Sequence, residues 1–128
     1  MILTIRTDNP QAEVGLYQGD QKVAYKTWQA HRELSATIHK VIDELLDDKK
    51  LTLDDLTGIV FYKGPGSFTG LRIGAAVANA LASVNHTPIT QSDGENWVQV
   101  GLKMLEKKEF IMAQPNYGAE AFVTKPKK

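Results

Sequence analysis

The sequence predicts a single domain of the α/β or α+β class, built on a mixed sheet. Three observations support this. A short apolar opening is followed by two segments that alternate between apolar and polar residues, the pattern then changes to helical spacing, and helices and strands alternate for the rest of the chain. The 128 residues are enough for one domain with a modest core.

The first third of the chain predicts a three-stranded antiparallel meander. We expect its strands at residues 2–5, 12–17 and 22–28. The Asp-Asn-Pro sequence at residues 8–10 ends the first strand, and Gln-Gly-Asp-Gln at residues 18–21 is typical of a hairpin connection. Alternation in the third strand predicts that Val23, Tyr25 and Thr27 share one face.

The middle of the chain predicts a helix and a buried strand. Apolar residues recur at helical spacing between residues 31 and 48, with inward positions at Leu34, Ile38, Val41, Ile42 and Leu45. Residues 52–55 match a capping box for a short helical turn. The continuous apolar run at residues 58–62 indicates a strand buried on both faces.

The last part of the chain predicts two more helices, a short strand and a hairpin. Ser67 is a good N-cap for a helix at residues 68–84, and a strand follows at 87–90. Ser92 or Asp93 caps a third helix that runs to Lys108, with inward residues Trp97, Val98, Val100, Gly101, Leu102 and Leu105. A closing hairpin uses residues 110–113 and 119–124, so the domain covers residues 1–124 and a basic tail covers 125–128.

Composition excludes several classes of function. Fifteen Lys and Arg balance fifteen Asp and Glu, which argues against a general binder of nucleic-acid backbones. The absence of Cys excludes disulfides, thiolate metal sites and a Cys nucleophile. No segment has the pattern of a signal peptide or the length of a membrane span, so we expect a cytoplasmic protein.

The most informative segment is the glycine-rich turn at residues 64–74, between the buried strand and the second helix. Free N–H groups and the helix dipole favour an anion at such a place. However, the segment lacks the Gly-Lys-Ser/Thr ending of a P-loop, and its glycine spacing misses the dinucleotide fingerprint by one residue. Taken alone, it is better interpreted as a turn whose glycines satisfy backbone geometry.

The second helix carries a stripe of small residues at every fourth position, namely Gly70, Gly74, Ala78 and Ala82. Ala75 and Ala76 widen it. A glycine inside a helix costs about 1 kcal/mol relative to alanine, so a packing reason is expected. Two interpretations have equal weight: close packing on the chain's own sheet, or a helix–helix interface with another chain.

The segment Gly64-Pro65-Gly66-Ser67-Phe68-Thr69-Gly70-Leu71-Arg72-Ile73-Gly74 resembles the signature of the TsaB family, also called YeaZ. Residues 31–34, 51–59 and 88–89 also resemble the corresponding parts of that family. The resemblance covers nearly the whole chain. It implies one subdomain of the actin-like, Hsp70-like (ribonuclease H-like) fold, with the three-stranded antiparallel meander and the alternating helices and strands in one mixed sheet.

The same resemblance implies a role as a non-catalytic partner subunit. Members of the family bind TsaD, with the ATPase TsaE as a further partner, in the complex that makes threonylcarbamoyladenosine next to the anticodon of tRNA. The contact resembles a four-helix bundle, which here would use residues 31–48 and 68–84. The resemblance implies a homodimer when TsaD is absent and only indirect contact with tRNA.

These implications give a set of candidate residues. We predict a partner interface at His31, Leu34, Ile38, Ser67, Phe68, Thr69, Gly70, Leu71, Arg72, Gly74, Ala75, Ala78 and Ala82, next to a signature loop of Gly64, Pro65 and Gly66. We predict no catalytic residue and no metal ligand. A Gly74→Arg substitution is expected to disrupt either a TsaD interface or a homodimer of the same helices.

The sequence departs from the family pattern in ways that argue against catalysis. Arg6-Thr7-Asp8 stands where the family's first strand usually ends in Asp-Thr, and an Arg there disfavours a metal-bound nucleotide. Residues 114–120 lack the Asp of the family's second subdomain, and the sequence stops just after them. We therefore predict no cofactor, except for a nucleotide held at an interface with a partner. A regulatory homodimer and a small nucleotide hydrolase are the alternatives.

Three aromatic residues are further candidates, as stacking groups for nucleic-acid bases. Trp28, Trp97 and Phe68 are the residues concerned, and two of the three lie on apolar faces. A core position is therefore the favoured interpretation for them.

Overall fold

The computed structural model describes residues 1–108 and places eight regular elements in them. In chain order they are β1 (Ile2–Arg6), β2 (Gln11–Gln18), β3 (Gln21–Gln29), α1 (Leu34–Asp48), β4 (Gly58–Tyr62), α2 (Phe68–Asn85), β5 (Ile89–Ser92) and α3 (Trp97–Glu106). Short 3-10 turns, His31–Glu33 and Leu53–Asp55, precede α1 and β4. The predicted closing hairpin and basic tail lie outside the described residues.

The strands form one mixed sheet in the order β3-β2-β1-β4-β5. β1 pairs antiparallel with β2, and β2 pairs antiparallel with β3, which confirms the predicted meander. β1 and β4, and then β4 and β5, pair in parallel. Because β4 lies between two strands and has helices over both faces, all five of its residues are buried, as its apolar run predicts.

The sheet separates two hydrophobic clusters. Leu3 and Ile5 of β1 and Phe61 of β4 pack with α1 and α2 on one face. On the other face, Val60 and Tyr62 pack with α3, where Tyr62 and Trp97 make an edge-to-face contact with ring centroids 5.6 Å apart. The protein is therefore an α/β domain of three layers, with α1 and α2 together in one outer layer.

Helix α1 follows its predicted pattern. Four of the five predicted inward residues are buried, namely Leu34, Ile38, Ile42 and Leu45, and Val41 is partly buried against the same cluster. One flank of the helix is fixed to β3, where Trp28 Nε1 donates to Thr37 Oγ1 over 2.9 Å. Lys26 Nζ also lies 3.2 Å from Glu44 Oε1. The opposite flank of α1 is therefore the one next to α2.

One prediction for β3 was wrong, because Val23 and Tyr25 do not share a face. Val23 packs on the α1 side together with Ala24 and Trp28, whereas Tyr25 lies on the other face and is 46% exposed. The reason is a register shift: Leu16 pairs with Ala24 but Tyr17 with Lys22, so the alternation of β3 is interrupted.

Helix α3 begins later than predicted. Its N-cap is Asn96, neither Ser92 nor Asp93, because Gly94 adopts a φ of +84° that is incompatible with a right-handed helix. The Ser92 hydroxyl donates to the Trp97 carbonyl oxygen instead of capping the helix. The buried residues of α3 are Trp97, Val98, Gly101 and Leu102, and Val100, predicted to face inward, is 45% exposed.

Candidate partner interface

The turn after β1 and the N-terminus of α2 pack directly against each other. The Ser67 N–H donates to the Asp8 carbonyl oxygen over 2.7 Å, and Thr7 Oγ1 donates to the Gly70 carbonyl oxygen over 2.8 Å. A methyl group added at Gly70 would overlap the Thr7 carbonyl oxygen, and one added at Gly66 would overlap Asp8. These signature glycines therefore let the helix approach the end of β1.

The signature loop itself has the geometry of a capped turn. The Ser67 hydroxyl accepts a hydrogen bond from the Gly70 N–H over 3.2 Å, which confirms the predicted N-cap. Gly64 adopts a φ of +105°, a conformation that other residues rarely reach, and its bond to Pro65 is cis. Pro65, Gly66 and Ser67 are exposed, while Gly64 is buried.

The predicted stripe of small residues faces the chain's own sheet. Gly74 is buried, and an added methyl group would overlap Thr7 Oγ1 and lie 3.0 Å from the Phe61 ring. Ala78 is fully buried and Ala82 partly buried in the same cluster. Of the two interpretations of this stripe, packing on the chain's own sheet is therefore confirmed.

Several candidate interface residues belong to that core. Leu34 and Ile38 of α1 and Leu71, Ala75 and Ala78 of α2 are all buried within the chain. Their side chains are not accessible to a partner while the helices are folded.

Because Gly74 is buried, the expected effect of Gly74→Arg also changes. The substitution would first disrupt the contact of α2 with β1 and β4, because the side chain would point at Thr7 and Phe61. It therefore does not test a partner interface.

The opposite side of α2 is exposed, and Thr69 is its only member among the predicted interface residues. We define the outer face of α2 as Thr69, Ile73, Ala76, Ala80 and Ser83, of which Ile73 is partly buried and the others are exposed. These positions are separated by four, three, four and three residues, the spacing of a helix that packs along a second helix. The signal was present in the sequence but was hidden by the more conspicuous glycine stripe.

The N-terminus of α2 adds larger groups to this surface. Phe68, which was predicted at the partner interface and for which a core position was also favoured, is 54% exposed. The Arg72 guanidinium carbon lies 5.6 Å from the centre of its ring. Trp97 is buried and Trp28 is partly buried against the core, so the core interpretation is confirmed for these two.

A shallow cavity joins this surface to the start of α1. Its volume is about 260 Å³, and Asn9, Arg32, Thr69 and Ile73 are among the residues that line it. His31 lies in the short turn just before α1. The beginnings of α1 and α2 thus lie side by side at the edge of the sheet where β1 and β4 end.

The turn after β1 has no free acidic group. Arg6 Nε lies 2.7 Å from Asp8 Oδ1, and Arg6 Nη2 donates to Asp8 Oδ2 over 3.2 Å. The guanidinium also stacks on Tyr62, 3.9 Å from the ring centre, and its hydrogen bond to Asp8 raises the pKa of Arg6. Within residues 1–108, no group of three or more acidic or histidine side chains could hold a metal ion.

No helix in the described part of the chain is both long and apolar enough to cross a membrane.

Comparisons with known proteins agree with this architecture. A family model described as "TsaD: tRNA N6-adenosine threonylcarbamoyltransferase" matches residues 28–91, half of the chain. Curated relatives named "tRNA threonylcarbamoyladenosine biosynthesis protein TsaB" include one from Buchnera aphidicola, 36% identical over 90 residues, and one from Bacillus subtilis, 35% identical over 89 residues. The chain belongs to this family, in its TsaB (YeaZ) group.

The extent of these matches is limited to part of each relative. Each alignment covers 70% of this chain, but only 42% of the Buchnera protein and 39% of the Bacillus protein. The solved structure "YeaZ from Pseudomonas aeruginosa" superposes with a TM-score of 0.67 at 25% identity, over 72% of this chain and 43% of that one. The fold is therefore the predicted actin-like, ribonuclease H-like subdomain, and the chain spans about two fifths of the length of its relatives.

Proposed function

We propose that this chain is a non-catalytic subunit in the machinery that makes threonylcarbamoyladenosine in tRNA, and that it binds TsaD. Its TsaB relatives carry the name of that biosynthetic process, and the matching family model describes the threonylcarbamoyltransferase. The observation that carries the proposal is the outer face of α2, an exposed helix surface made of small and apolar side chains.

The composition of α2 supports an interface. Arg72 is the one charged residue among its 18, whereas a helix that faces water usually carries several. Small residues at Thr69, Ala76 and Ala80 let the backbone of another helix approach closely. The exposed Phe68 ring beside Arg72 adds the kind of aromatic and arginine pair that is enriched in interface centres.

Helix α1 contributes a different kind of surface. Its exposed residues are mostly charged or polar, among them His39, Lys40 and Asp43, and Arg32 is exposed in the turn just before it. Interfaces commonly combine an apolar centre with a polar rim. We infer that α2 makes the central contact with TsaD, that α1 forms the rim, and that the two helices pair with two helices of the partner. His31, at the entry to α1, belongs to the same rim.

The absence of catalysis is part of the proposal. Asp8, the acidic residue of the turn after β1, is engaged in two hydrogen bonds with Arg6, so it is not available to bind a metal-bound nucleotide. We infer that chemistry takes place on TsaD, that a nucleotide is held only where partners meet, and that TsaE and tRNA join through TsaD.

Size-exclusion chromatography with light scattering tests the proposal directly. The chain is measured alone and after mixing with TsaD from the same organism. A stable one-to-one complex is the expected result. A homodimer of this chain that persists in the presence of TsaD would contradict the proposal and assign the outer face of α2 to self-association.

A further inference from the structure

The turn after β1 holds the beginnings of both proposed interface helices. The Ser67 N–H, at the N-cap of α2, donates to the Asp8 carbonyl oxygen over 2.7 Å. The Ala30 N–H, just before the short turn that enters α1, donates to the Pro10 carbonyl oxygen over 2.8 Å. Because the two accepting carbonyl groups are only two residues apart, the conformation of residues 8–10 determines where both helices begin.

The signature loop depends on Asp8 through packing as well. A methyl group added at Gly66 would overlap the Asp8 Cβ and lie 2.8 Å from the Asp8 carbonyl oxygen. The loop backbone therefore packs directly on Asp8. A displacement of Asp8 would displace the loop and, with it, the first turn of α2.

Asp8 is held in turn by Arg6. The Asp8 carboxylate accepts two hydrogen bonds from the guanidinium, one from Nε over 2.7 Å and one from Nη2 over 3.2 Å. This paired geometry fixes direction as well as distance, which a single ammonium group does not do. The side chains of Arg6 and Asp8 are 25% and 10% exposed, so water and salt compete with this ion pair less than with a surface pair.

Arg6 is itself anchored to the α3 side of the sheet. Its guanidinium carbon lies 3.9 Å from the centre of the Tyr62 ring, and Tyr62 contacts the buried Trp97 at the start of α3 edge to face. Tyr62 is buried at the end of β4, just before the signature loop. Arg6 therefore connects the α3 side of the sheet to the turn that holds α1 and α2.

We propose that Arg6 is a positioning residue for the partner interface. Through Asp8 it fixes the turn at which α1 and α2 begin, so that the outer face of α2 and the rim on α1 keep one arrangement before a partner binds. The link to TsaD rests on the proposed function, whereas the effect of Arg6 on the two helix ends is a property of this chain alone.

Amide hydrogen exchange of the chain alone, followed by NMR, tests the effect on the helix ends. Arg6→Gln should speed exchange at the Ser67 and Ala30 N–H groups by about tenfold, because the turn that accepts their hydrogen bonds loses its charged anchor. The Thr87 N–H, which donates to the Ala82 carbonyl oxygen at the other end of α2, is the internal control. Wild-type exchange at Ser67, or equal acceleration at Thr87, would overturn the proposal.

Asp8→Asn removes the other member of the ion pair and should give the same pattern. The double variant, Arg6→Gln with Asp8→Asn, should exchange no faster than either single variant, because the two changes remove one shared interaction. Arg6→Lys keeps the charge but not the paired N–H groups, so its effect should be smaller and in the same direction. Additive effects of the two single variants would contradict the shared role.

TsaD binding, measured by isothermal titration calorimetry, separates positioning from a merely structural role. The matched control is Thr90→Val, which removes a buried hydrogen bond from Thr90 Oγ1 to the Gly101 carbonyl oxygen on the α3 side. Arg6→Gln should weaken TsaD binding by about fivefold or more, and Thr90→Val should not, even where both lower the midpoint of urea unfolding equally.

Two results of this titration would overturn the link between Arg6 and the interface: wild-type affinity in a folded Arg6→Gln variant, or equal weakening by Thr90→Val. If the wild-type chain does not bind TsaD, the proposed function fails. The exchange measurements then still decide whether Arg6 positions the two helix ends.

Discussion

Both sides of α2 carry small residues, but the inner side packs on the chain's own sheet and the outer side is exposed. On the inner side, Gly70 and Gly74 are small because the end of β1 leaves no room for a methyl group. On the outer side, Thr69, Ala76 and Ala80 are exposed, and no such steric limit applies within residues 1–108. Small residues thus indicate a close approach without naming what approaches, and the structure shows that on the inner side it is the chain's own sheet.

The largest expected difference between the two sides is in stability. Gly74→Arg would place a long charged side chain against Thr7 and Phe61 in the core, and an unpaired buried charge exceeds what a marginally stable domain tolerates. We expect loss of the cooperative unfolding transition in circular dichroism. Ala80→Arg introduces the same side chain six positions later on the outer side, and should unfold like the wild type. Equal stability of the two variants would contradict the claim that only the inner side of α2 is packed against the core.

Smaller substitutions on the inner and outer sides of α2 test the same difference in packing. Gly70→Ala adds one methyl group that would overlap the Thr7 carbonyl oxygen, which is backbone and cannot move freely. We expect a loss of about 1–3 kcal/mol in the free energy of unfolding, as in overpacked cores, despite the better helix propensity of alanine. Ala80→Ser also adds one heavy atom and should change urea unfolding by less than about 0.5 kcal/mol. A stabilised Gly70→Ala variant would show that α2 does not need its close approach to β1.

The smallest expected effect concerns the hydrogen bond between the β1 turn and α2. Thr7→Val keeps the shape of the buried side chain but removes the bond from Thr7 Oγ1 to the Gly70 carbonyl oxygen. The expected cost is about 1 kcal/mol in chemical unfolding. Thr69→Val, an exposed threonine one residue from Gly70, serves as the control and should be nearly neutral. If Thr69→Val lowers the free energy of unfolding as much as Thr7→Val does, the outer side of α2 is packed within the chain and the distinction between the two sides is contradicted.

Most of the fold could be predicted from sequence periodicity. The apolar run of β4 and the helical stripe of α1 are strong signals, because β4 is buried on both faces and α1 buries one face. The direction of Val23 could not be predicted, since the register shift near Tyr17 depends on how two strands pair. The late start of α3 depends on the backbone conformation of Gly94, which the residue type permits but does not require.

The candidate site was predicted less completely. The signature segment correctly located the N-terminal end of α2 and its N-cap, Ser67. However, buried residues such as Leu34 and Leu71 were included in the interface, because a helical stripe does not reveal whether it faces the core or a partner. Apart from Thr69, the outer face of α2 was not predicted as a surface of its own, because the glycine stripe was the more conspicuous pattern on the same helix.

The most direct test of the account compares TsaD binding by two variants of similar chemistry. Ala76→Arg places a charged side chain on the outer face of α2. Val100→Arg places the same side chain at an exposed position of α3, on the other side of the sheet. By calorimetric titration, we predict that Ala76→Arg weakens TsaD binding by about thirtyfold or more, the cost of a central interface residue, and that Val100→Arg does not. Wild-type affinity in a folded Ala76→Arg variant would contradict the assignment of this face to the partner.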